Sequence, residues 1–149
     1  MQYGNKRGAE QFRIDHDCYT LTCGGGRALR YDLAGESIEL GWPCFLLDNG
    51  RTGAPENWAL ESETAVSPAI RQYAFAGSLP GGLTLKMELR TAAGSPIIRF
   101  RYILSSTEPR AMVGTDGRDL TYLSYPAART RGRRRFASPT TIPSFTATA

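Results

Sequence analysis

The residues of this chain best suited to contact a sugar are Glu61 and Glu63 in "WALESETA", with Trp58 beside them and Trp42 in "GWPC". Glycoside hydrolysis uses two carboxyl groups about 5–9 Å apart across the scissile bond, and side chains two apart on a strand share a face. Indole rings bury the apolar faces of pyranose rings, so tryptophan near acids suits a sugar-contacting surface. The competing role for two tryptophans in a β-domain is its core or a seam between domains. Trp58, Glu61, Glu63 and Trp42 are therefore candidate carbohydrate contacts, and no complete catalytic set is visible.

Other reactive residues point less far. His16 is flanked by Asp15 and Asp17, but neighbours along a strand face opposite ways, so the three do not converge on one atom without a bulge. Cys18, Cys23 and Cys44 form no C-x-x-C pair and have a single histidine to assist them, which argues against a zinc site and against a disulfide framework. "CGGGR" lacks the Lys-Ser/Thr and the following helix of a phosphate loop, and reads as a hairpin turn. No metal and no cofactor are expected.

The basic character of the chain has a local origin. The net charge is +4, yet Arg129, Arg131, Arg133, Arg134 and Arg135 all follow Asp119, the last acidic residue. Residues 1–119 hold 13 basic against 14 acidic groups, a net charge of −1. A near-neutral body with no aromatic interleaving gives no support for a nucleic-acid partner. From Ala127 to Ala149 the composition of Arg, Pro, Ser, Thr and Ala buries too little area to offset roughly 1–2 kcal/mol of backbone entropy per residue. Disorder is expected over 127–149 and over 1–10. Three origins fit the arginine stretch: a shifted reading frame, an ordinary flexible tail, or a polyanion-binding arm.

The elements that must position the candidate residues are strands. Leu83, Leu85, Met87 and Leu89 alternate with Thr84, Lys86, Glu88 and Arg90, the period of a half-buried strand. After "AAGSP" the alternation resumes with Ile98, Phe100, Tyr102 and Leu104 on one face, completing an antiparallel hairpin. "EQFRID", "CYTLTC", "ALRYDLA", "ESIELG", "CFLLDNG" and "AIRQYAFAG" repeat this grammar between Gly, Asn and Pro breaks, and "DGRDLTYLSY" adds a turn and one more strand. Helical spacing is nearly absent. Short strands at such intervals predict an all-β antiparallel sandwich over residues 11–126. At 149 residues one domain is expected. No apolar run approaches the ~20 residues of a membrane span, and no signal sequence is visible; a cytoplasmic location is the expectation.

Taken together, "SPAIRQYAFAGSLPGGLTLKMELRTAAGSPIIRFRYILSSTEPRAMVGTDGRDLTYLSY", Ser67 to Tyr125, resembles the N-terminal β-domain of bacterial α-galactosidases of glycoside hydrolase family 36. The opening "FRIDHDCYTLTCGGGRALRYDLAGESIEL" suits the first meander of that domain. The resemblance implies a supersandwich placed ahead of a catalytic (β/α)8 barrel that carries both catalytic aspartates, so none maps onto this chain. It also implies a homo-oligomeric parent in which a loop of this domain contacts the α-galactoside. "GAPENWALESETAV" occupies that zone, although Thr64, Ala65 and Val66 stand where the family has an acidic-and-arginine pattern. The expected function is that of a non-catalytic domain packing against a barrel absent from this sequence. The alternative is a stand-alone carbohydrate-binding or protein-interaction sandwich.

Overall fold

The computed structural model describes residues 11–113, 120–122 and 124. The two segments expected to be disordered, 1–10 and 127–149, lie outside the described residues. All regular structure among the described residues is antiparallel β, and no helix among them is long and apolar enough to cross a membrane.

The first sheet is a meander of β1 (Phe12–Asp15), β2 (Thr20–Cys23), β3 (Leu29–Leu33) and β4 (Glu36–Leu40), in that spatial order. Its register separates the side chains by chemistry. One row aligns Phe12, Cys23, Leu29 and Leu40, and another Ile14, Leu21, Tyr31 and Ile38. The intervening rows align Arg13, Thr22, Arg30 and Glu39, then Asp15, Thr20, Asp32 and Ser37. Arg30 bonds both carboxylate oxygens of Asp32 at 3.0 Å, and Ser37 Oγ donates to the same Asp32. The Ser37 hydroxyl and the Arg30 guanidinium hold the Asp32 carboxyl below its ordinary range. "CGGGR" is the β2–β3 turn, as expected. Gly24, Gly25 and Gly26 take φ of 91°, 74° and 89°, a left-handed run that side-chain-bearing residues rarely sustain.

The second sheet is ordered β10-β9-β8-β7, from β7 (Glu56–Ser67), β8 (Ile70–Leu79), β9 (Leu83–Ala92) and β10 (Ile98–Ser106). The β9–β10 hairpin has the expected face pattern: Tyr73, Leu89 and Phe100 align, as do Phe75, Met87 and Tyr102, and Gly77, Leu85 and Leu104. Leu85, Met87, Leu89 and Phe75 are completely buried. The opposite face carries Gln72, Arg90 and Arg99 in one row and Ala74, Glu88 and Arg101 in the next.

The inner faces of the two sheets form one core, with Ile14, Leu21, Cys23 and Leu29 from the first and Trp58, Tyr73, Phe75, Leu83, Leu85, Met87 and Leu89 from the second. Each such large apolar side chain contributes about 1.5–3 kcal/mol by leaving water. A small third sheet, β11-β5-β6, adds Phe45 and Leu47 to that core; its strands are β5 (Cys44–Leu47), β6 (Gly50–Arg51) and β11 (Leu120–Thr121).

Candidate functional site

Trp58 enters the core because β7 is irregular. Its pairing with β8 shifts between Glu56 and Ala59, and Asn57, within that shift, has φ 52°. Such a bulge re-aims the next side chain. Space for the indole comes from Gly77: a Cβ there would lie 3.0 Å from Trp58 Cε3 and 2.9 Å from both the Glu56 carbonyl oxygen and Pro55 Cβ. Trp58 stacks on Phe75 with ring centroids 6.0 Å apart, and Trp42 meets it edge-on at 4.8 Å. With 2% of its surface exposed, Trp58 has no free face for a sugar ring. Trp42 is half-buried against the same core.

Glu61 and Glu63 are separated by a second irregularity. Leu60 pairs with Phe75 but Ser62 pairs with Ala74, so one extra residue reverses the alternation. Glu61 Oε2 accepts from Lys86 Nζ at 3.0 Å on the outward face. Glu63 is aligned with Tyr73 and accepts from Arg71 at 2.6 Å. Burial, with the Glu63 charge and hydrogen bond adding to it, raises the Tyr73 phenol. The expected shared face is therefore corrected: the two carboxylates do not converge on a common point.

The β1–β2 turn brings together residues that strand geometry keeps apart. β1 ends at Asp15, so the alternation that separates neighbours stops there. Asp15 turns to Arg13 and Thr20, while His16, Asp17 and Cys18 place one ligand atom each within 4.8 Å of one another. His16 is nearly buried, its side chain 10% exposed, and stacks on Tyr19 at 4.2 Å with an interplanar angle of 8°. His16 Nε2 lies 3.0 Å from the Ala92 carbonyl oxygen, and Asp17 Oδ2 accepts the Gly94 amide at 2.9 Å. Both partners lie at the end of β9 and in the turn beyond it.

That arrangement is not a nucleophilic pair. Activation of a cysteine requires a ring nitrogen free to take its proton; Nε2 is committed to Ala92 O, and Nδ1 already accepts the Cys18 amide at 3.1 Å with Asp17 Oδ1 2.6 Å away. Desolvation, then the Asp17 charge, push the Cys18 thiol up from its ordinary range, the opposite of what a poised thiolate needs. Cys23 is fully buried with its thiol raised to about 12 by desolvation.

One strand edge has unspent apolar area. Met112, Val113, Leu120 and Tyr122 are 48%, 40%, 43% and 37% exposed. They follow one edge of β5: Met112 bridges Leu47, Val113 donates its amide to Leu46 O at 2.9 Å, and Leu120 is opposite Phe45. Tyr122 stacks on Phe100 at 6.1 Å and meets Tyr102 edge-on at 5.3 Å. The strand expected in "DGRDLTYLSY" accounts for Leu120 and Tyr122, whereas nothing in the sequence signals that Met112 and Val113 line the same edge of β5. No protein-family model matches this chain, and no curated protein and no solved structure does.

Proposed function

We propose that this domain is the non-catalytic N-terminal part of an α-galactosidase-like glycoside hydrolase, and that it packs against a catalytic barrel lying outside this sequence. The observation that carries the reading is the set Met112, Val113, Leu120 and Tyr122, large side chains left 37–48% exposed in the segments that line one edge of β5. Exposed apolar side chains gathered on one edge mark an interaction surface. The separation of Glu61 from Glu63, and the buried indole of Trp58, fit a domain that contributes packing rather than hydrolysis.

The test uses the chain alone. It is expected to give no turnover of a chromogenic α-galactoside above a blank, and to bind a hydrophobic dye that Leu120→Lys and Met112→Lys displace. Turnover by the chain, or monomeric behaviour with no dye binding, overturns the reading.

A further inference from the structure

We propose that the β1–β2 turn is a binding site for a divalent metal of the zinc class, with His16 Nδ1, Asp17 Oδ1 and Cys18 Sγ as its protein ligands. The case begins with the His16 ring. A carbonyl oxygen only accepts, so Nε2, 3.0 Å from Ala92 O, carries the hydrogen. The Cys18 amide donates to Nδ1 at 3.1 Å, which marks Nδ1 as the lone-pair nitrogen. Yet Asp17 Oδ1 lies only 2.6 Å from that same Nδ1. Two acceptors meet there, and a positive charge between them resolves the conflict.

A second proton on the ring would supply that charge, but it would set an N–H against the Cys18 amide. A metal ion fits the wider arrangement better, because a third donor, Cys18 Sγ, falls within the same 4.8 Å. Imidazole, carboxylate and thiolate together match zinc, whose bonds to them are about 2.0–2.3 Å. The 2.6 Å pair opens slightly to admit the ion, and the Cys18 amide gives up Nδ1. The thiol proton leaves to solvent as the sulfur coordinates.

The outer atoms of two ligands are already held. Ala92 O fixes the ring through Nε2–H, and the Gly94 amide fixes Asp17 through Oδ2. Metal-bound histidines and carboxylates are characteristically oriented by such partners. Both partners come from the end of β9 and the turn beyond it, so the residues that would hold the ion are themselves anchored to the second sheet. Three protein ligands leave a fourth position, and the Asp17 side chain, 58% exposed, puts it toward solvent. Water or a ligand atom of a partner can complete the shell there.

Cobalt(II) reports on the site through its sulfur bond. The full chain, stripped with a chelator, is expected to bind one Co2+ with a thiolate-to-cobalt absorption in the near ultraviolet that Zn2+ displaces. Cys18→Ser abolishes that absorption and Cys44→Ser retains it. His16→Gln and Asp17→Asn keep every thiol and give an independent reading if Cys18→Ser fails to fold. Each weakens Co2+ binding by at least the roughly 10- to 100-fold that loss of an orienting partner costs. Absence of the sulfur band in the parent chain overturns the proposal. Survival of the band in Cys18→Ser, or its loss in Cys44→Ser, overturns it equally.

Discussion

Lys86 Nζ lies 3.0 Å from Glu61 Oε2 on the outward face of the second sheet, whereas Glu63, two residues along the same strand, is aligned with Tyr73 on the other face and pairs with Arg71. The bulge between Leu60 and Ser62 puts a sheet between carboxylates that an unbroken strand would set side by side. Each is an exposed ion pair, so Glu61→Gln and Glu63→Gln are each expected to cost less than about 1 kcal/mol of stability. Because the two share no partner, the double variant should be additive within about 0.5 kcal/mol. Urea denaturation of the four chains measures this. A larger coupling would mean that the carboxylates act on one another.

Gly77 is tested against Gly53. A methyl group at Gly77 would meet the Glu56 carbonyl oxygen at 2.9 Å and Trp58 Cε3 at 3.0 Å, whereas nothing lies within 4 Å of a Cβ at Gly53. Backbone and a packed indole yield little, so Gly77→Ala should destabilise by roughly 1–3 kcal/mol. Gly53→Ala restricts the unfolded chain without a clash and is expected to be neutral or to stabilise by up to about 1 kcal/mol. Equal urea midpoints for the two variants would show that Gly77 is not what admits Trp58.

The alternation of Leu83 through Leu89 and of Ile98 through Leu104 made the central hairpin legible, because a strand with one buried face writes its period directly into the sequence. The bulges of β7 were not legible. They are set by where Trp58 finds space opposite Gly77, a contact between strands that no local pattern of "PENWALESETAV" encodes. The same holds for His16 and Asp17: period-two reasoning separates them correctly only while the strand lasts, and β1 ends at Asp15. The glycines of "CGGGR" were readable for the opposite reason, since their conformational freedom is a property of the residue itself.

Trp58 and Trp42 should differ when truncated. Trp58 is 2% exposed and packed between Phe75 and Trp42, so Trp58→Ala is expected to cost about 3–5 kcal/mol. Trp42→Ala removes a half-buried ring and should cost less. The parent chain should emit at blue-shifted wavelengths, with no change on adding galactosides. A sugar-dependent shift that Trp42→Ala abolishes would instead identify Trp42 as a carbohydrate contact.

The tyrosines set an alkaline limit on stability. Burial raises the Tyr19 phenol to about 12, with Tyr31 adding to the shift, and it raises Tyr102 further still. Neither hydroxyl has a hydrogen-bond partner among the described residues, so nothing compensates a phenolate formed in place. In the unfolded chain both ionise near pH 10. Above that pH the unfolded state binds fewer protons than the folded one, and unfolding becomes more favourable as pH rises. The contribution of these two groups is therefore complete below about pH 10, and that of Tyr19 is lost as pH climbs toward about 12. Urea midpoints should fall steeply across this window, and Tyr19→Phe should flatten the fall. Rapid ionisation of every tyrosine at pH 11 in chains that keep their β-sheet circular dichroism would contradict the burial of both phenols.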